Sequence, residues 1–215
     1  MDDHAVDHAV DHAVEHIVVA TSLPWLLPRP IHALEAWNER VADGAWGRRL
    51  RGFGERVRRR LDLEHWAAFG SSFDRLARVV SSLAAGERGR PPSTVVALSG
   101  DVHFSYVAEA HLGGGTGTRV FQVVSSPMRH AIPLSELAAQ RAVMRAPLSW
   151  LPRLLVRSAR GRPPAFGWRL TDGPDFENNI VLLTFDGPEL SVEVHGAELD
   201  DEGQAVLCRR LHRRS

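Results

Sequence analysis

A single cysteine, Cys208, in 215 residues excludes an internal disulfide framework and any all-cysteine metal site. Lysine is absent: all 26 basic residues are arginine, and 26 acidic residues cancel them. A neutral chain has no whole-molecule field to draw nucleic acid or a membrane surface. Locally, Arg58-Arg59-Arg60 reads first as a solvated helix face, with a basic patch as the alternative. No apolar run reaches the roughly 18 residues of a membrane-spanning helix, so no membrane span is expected. The N-terminus lacks a basic stretch followed by an apolar one, so no secretory signal is visible and a cytoplasmic location is expected; export of a longer form is the alternative. No Gly-x-Ser-x-Gly elbow occurs, which removes the serine hydrolases built on that turn.

What is present is ordinary for a globular protein, with 44% hydrophobic and 24% charged residues. The first sixteen residues stand apart as a low-complexity repeat. Asp-His-Ala-Val occurs three times from Asp3, followed by Glu15-His16-Ile17-Val18. On a helix, His4, His8, His12 and His16 form a loose row able to bind a divalent metal. The plainer reading is low-complexity sequence in a frayed helix.

Beyond the repeat the pattern is α/β, with mixed β-sheets flanked by helices. Residues 16–21 read as a short strand and 31–43 as an amphipathic helix with Leu34, Trp37 and Val41 on one face. Helices are expected at about 45–60 and 63–85, the second carrying Trp66, Phe69, Phe73, Leu76, Val79, Val80 and Leu83 as core. The apolar run 94–99 reads as a strand covered on both faces. Strands at 104–112 and 118–124 flank the turn Gly113-Gly114-Gly115. Residues 134–156 read as a helix broken by Pro147 and Pro152. Strands follow at 166–170, 179–185 and 190–195, the last two joined by the turn Asp186-Gly187-Pro188, with a further strand candidate at 204–211. No linker divides 17–200, which reads as one domain, and 201–215 reads as a polar tail.

The segment richest in chemistry is Ser99-Gly100-Asp101-Val102-His103, directly after the 94–99 strand. Chemistry in α/β sheets gathers at carboxyl ends of strands. Gly100 permits a sharp turn or a close approach. In an extended stretch Asp101 and His103 point the same way. A carboxylate and an imidazole together suit Zn, Mn or Fe; a hydrogen-bonded pair at a strand end is the alternative.

Ser-Gly-Asp-Val-His resembles the last metal motif of PhoD-like phosphatases, in the calcineurin-like metallophosphoesterase superfamily. Other segments resemble the same family in the same order. They are 18–25 (Val-Val-Ala-Thr-Ser-Leu-Pro-Trp), the Trp66-bearing segment 63–76, Val124-Ser125-Ser126-Pro127, and Asp175-Phe176-Glu177-Asn178-Asn179. The resemblance covers roughly 17–198. It implies the second half of a four-layer metallophosphoesterase sandwich and a hydrolase acting on a phosphate ester. It also implies metal ions (Fe, Ca, Mn or Zn), with Asp101 and His103 as ligands.

The family's Gly-Asp-x-x-Asp motif and Asn-bearing loop have no counterpart here, and its first-strand ligand position falls near Ser22. The resemblance therefore implies a C-terminal part that begins at a late start codon or pairs with a separately encoded N-terminal half, or an inactive remnant serving as an interaction module. Arg129 and His130 follow Ser126-Pro127, where they border the implied pocket as phosphate contacts or form surface salt bridges. A missing half also predicts exposed apolar surface around Val18, Val96, Val120, Val123 and the 25–27 segment.

Overall fold

The computed structural model describes residues 14–126, 151–200, 202 and 204–214. The chain divides into two compact units, each assembled from segments distant in sequence. Met1–Pro24, Arg78–Ala131 and Trp168–Ser215 make the first; Trp25–Ala77 and Ile132–Gly167 make the second. The expected α/β composition holds, with one mixed and one antiparallel sheet.

The first unit carries the sheets. Strands β1 (His16–Ala20), β2 (Thr94–Ser99), β3 (Ser105–His111), β4 (Arg119–Val124) and β5 (Gly167–Asp175) form one sheet in the order β1-β2-β4-β3-β5. β2 is parallel to both β1 and β4, while β3 runs antiparallel to β4. The unbroken apolar run of β2 fits its place between two partners, with Val95, Val96 and Ala97 all buried. Strands β6 (Asn179–Asp186), β7 (Glu189–Leu199) and β8 (Ala205–Arg214) form an antiparallel sheet. β6 and β7 meet through the two-residue turn Gly187-Pro188. The segment read as a polar tail is therefore largely β8, paired along its length with β7.

Period-two alternation aims one face of each sheet at the other. Val96, Val107, Phe121 and Val123 from the first sheet pack with Leu190 and Val192 from the second, flanked by Leu98, Val181, Leu183 and Leu211. This corrects the expectation of an exposed apolar face. Val96 and Val123 are buried because the chain's own β6–β8 sheet closes the sandwich, and Val120, on the opposite face of β4, is buried as well. Val18, on edge strand β1, is 44% exposed; it alone of those four valines faces water.

The second unit is helical: α1 (Arg29–Ala42), α2 (Arg51–Leu61), the first half of α3 (Gly70–Ala84), and α4 (Leu151–Ser158). Pro30 in the first turn of α1 removes an N–H that would have no helical partner. Trp37, Val41 and Ala159 form a core with Leu34, Trp46, Val57, Leu155 and Val156. Trp25, Leu26 and Leu27, expected in the exposed patch, are buried, Trp25 meeting the rings of Phe73 and Phe166.

The helix expected from 63 begins instead at Gly70. Asp62 ends α2 in the left-handed region, φ 52°, and a 3₁₀ turn (Trp66–Ala68) intervenes. Phe69, expected in the core, therefore sits before the helical face begins and is exposed. Phe73, Leu76, Val80 and Leu83 are buried as their spacing requires. Of the helix expected at 134–156, only the part within α4 falls among the described residues. There Pro152 occupies the first turn and does not break the helix.

Candidate functional site

Because β1, β2 and β4 are parallel, their carboxyl ends emerge at one edge. The edge is stitched by backbone: Thr21 N–H to Leu98 O at 2.9 Å, Gly100 N–H to Ser22 O at 3.3 Å, and Ser125 N–H to Ser99 O at 3.1 Å. A side chain at Gly100 would place its Cβ 3.3 Å from the Ser125 carbonyl oxygen, so the glycine lets two strand ends approach closely.

Strand geometry stops at Ser99. Asp101 and His103 both adopt left-handed backbone, with φ of 57° and 60°. The expectation that the two side chains project together from an extended strand is therefore corrected; they stand on a loop, Asp101 exposed and His103 half-buried. Val102 between them is buried and anchors the loop. Asp and His tolerate this region better than most residues, and two such positions in three residues mark a backbone held by its surroundings.

Those surroundings are a polar network that sequence reading did not single out. Ser126 Oγ accepts the His103 N–H at 3.3 Å. Ser105 Oγ accepts the Ser126 N–H at 2.8 Å, and its hydroxyl lies 2.8 Å from Asn179 Oδ1. Asn179 Nδ2 donates to the Glu177 carbonyl at 2.9 Å, which ties the 175–179 loop to the same edge. Ser105 and Asn179 are both buried. The available signal was a serine opening the apolar run Tyr106-Val107-Ala108 of β3.

Asp101 offers a hard oxygen and His103 a nitrogen, so their chemistry suits a divalent metal. The other side chains of this edge are hydroxyls and an amide already engaged with each other. Among the described residues, no group of three or more His, Cys, Asp or Glu could hold a metal ion. Arg129, His130, His4, His8 and His12 lie outside the described residues. His16 belongs to β1 and not to a helical row; its Nε2 donates to Gly187 O at 2.6 Å and its Nδ1 lies 2.7 Å from Thr94 Oγ1.

Neither Asp101 nor His103 lines the cavity of about 350 Å³ in the helical unit. That cavity is bordered by His32, Glu39, Arg40, Phe73, Asp74 and Arg162, among others. Burial, with a smaller push from Arg29, lowers the His32 imidazole to about 4. Burial raises the Glu39 carboxyl, opposed by the Gly70 N–H that it accepts at 2.7 Å. Glu39 thereby starts α3, a structural role. His65 contacts the fully buried Glu35 at 2.6 Å. No helix among the described residues is long and apolar enough to cross a membrane.

Comparison with protein-family models, curated proteins and solved structures finds no match for this chain.

Proposed function

We propose that the 100–103 loop is half of a metallophosphoesterase site of the PhoD-like kind, acting on a phosphate ester. Asp101 and His103 are its two metal ligands. One observation carries the reading: Gly-Asp-x-His leaves a parallel strand flanked on both sides, with both ligand candidates in left-handed backbone and Ser126 on the His103 N–H. This is where α/β sheets place their chemistry.

Two protein ligands fall short of the three or more that hold a catalytic metal, so no hydrolytic step is assigned to the described residues alone. A second polypeptide carrying the Gly-Asp-x-x-Asp and Asn-bearing elements completes the site, and Arg129 and His130 contact the phosphate. The test is hydrolysis of a chromogenic phosphate ester by this chain, alone and co-expressed with such a partner. Activity only in the pair, lost with Asp101→Asn, supports the reading. Strong activity of the chain alone, or an Asp101→Asn pair as active as wild type, counts against it.

The absence of a three-ligand group among the described residues favours a second reading, a non-catalytic interaction module. It predicts no activity and no metal in either preparation.

A further inference from the structure

The cavity of about 350 Å³ lies wholly within the helical unit. One wall is a face of α1, where His32, Ala36, Glu39 and Arg40 recur at helical spacing. The start of α3 and the chain that follows α4 complete it. Ala36, Phe73, Val156 and Pro163 give it apolar sides. The rings of Phe73 and His32, both bordering it, lie 4.8 Å apart between centroids. Ligand pockets span about 300–1,000 Å³, so this one suits a small molecule.

Its charges are not balanced. Glu39 is half-buried in the wall. Its Oε1 accepts the Gly70 N–H at 2.7 Å, and Oε2 carries no hydrogen bond among the described residues. Burial raises this carboxyl; Gly70 and Arg40 oppose the rise without cancelling it, while Asp43 and Asp74 add to it. Asp74 borders the same cavity. His32 brings no compensating charge, because burial, with a smaller push from Arg29, holds its imidazole at about 4 and so uncharged at neutral pH. Arg40 and Arg162 also border the cavity, but both are exposed, and Arg40 Nη2 already donates to the Arg160 carbonyl at 3.3 Å. Water and salt screen exposed guanidiniums far more than a half-buried carboxylate, so an unmet negative charge remains.

We infer that this cavity binds a small organic amine, its ammonium group on Glu39 Oε2 and its apolar body against Phe73, Val156 and Pro163. A hydrogen bond between an ammonium and a partly desolvated carboxylate is of the strong, charge-assisted kind, and Asp74 adds attraction at the border. A metal ion does not fit the same charge. Among the described residues no group of three or more His, Cys, Asp or Glu could hold one, and apolar walls supply no ligands. An anion would lie against the half-buried carboxylate and be repelled. The site shares no residue with the 100–103 loop and stands independently of the metal reading there.

The test is isothermal titration calorimetry of the full chain with benzylamine and butylamine, against benzyl alcohol and benzoate as neutral and anionic counterparts. An amine should bind, and the alcohol and benzoate should bind at least about tenfold more weakly. Glu39→Gln keeps an oxygen for the Gly70 N–H, so α3 still starts there, and removes the charge; amine affinity should fall more than about tenfold. Ala36→Leu fills the cavity with every charge retained and should abolish binding. Asp74→Asn, at an exposed position, should weaken binding severalfold and, with Ala36→Leu, decides the matter if Glu39→Gln does not fold, as circular dichroism would show. A chain that binds neither amine, that binds benzoate as tightly, or whose amine affinity is unchanged in a folded Glu39→Gln or Ala36→Leu variant overturns the inference.

Discussion

Leu190→Ala tests whether the chain closes its own sandwich. Leu190 sits on β7 with 1% of its surface exposed, against Val96, Val107, Phe121, Val123 and Val192. Truncation removes three carbons from a site that two sheets cannot easily collapse around. The expected cost is about 3 kcal/mol, within the range for buried leucines. Leu182 supplies the control. It lies on β6 one residue from Leu183, with the side chain on the opposite face and 53% exposed. Leu182→Ala should change stability by no more than about 0.5 kcal/mol. Guanidinium unfolding followed by far-ultraviolet circular dichroism measures both. Equal costs for the two variants, or a Leu190→Ala cost under about 1 kcal/mol, would refute the burial of that face.

Gly173→Ala should lose more than about 2 kcal/mol, since the residue has φ 87° and an added Cβ would lie 2.6 Å from the Ser105 carbonyl oxygen; a melting temperature unchanged from wild type would exclude that close approach. Because the His32 imidazole titrates near 4 when folded and 6.5 when unfolded, the unfolded chain binds more protons between those values. Stability should therefore be full above about pH 6.5 and fall by about 3 kcal/mol towards pH 4; His32→Leu should flatten that slope, and an unchanged slope would assign the acid sensitivity elsewhere. His16→Ala strips buried Thr94 of its side-chain partner at 2.7 Å and should cost about 1–3 kcal/mol; adding Thr94→Val should recover part of that loss, whereas strictly additive losses would deny the contact.

Elements with local causes were legible in the sequence. The apolar run of β2, the Leu34–Trp37–Val41 stripe of α1 and the Gly187-Pro188 hairpin each carry their own pattern, and each forms where expected. Features decided at long range were not. Nothing in residues 25–77 announces that they share a unit with 132–167. The onset of α3 at Gly70 depends on a carboxylate of Glu39, 31 positions earlier. In the candidate site, Gly-Asp-x-His located the loop, while its conformation was hidden: left-handed Asp101 and His103 are set by Ser126, Ser105 and Asn179, which only the tertiary structure gathers.

Metal content decides most directly whether the 100–103 loop is half of a metal site. Elemental analysis would be run on the purified chain, on the chain co-purified with a polypeptide carrying the Gly-Asp-x-x-Asp and Asn-bearing elements, and on the same pair with Asp101→Asn. Two ligands are too few for tight binding, so the chain alone should be metal-free, the pair should hold stoichiometric metal, and Asp101→Asn should remove most of it. A pair that stays metal-free, or one that keeps its full metal without the Asp101 carboxylate, would contradict the assignment.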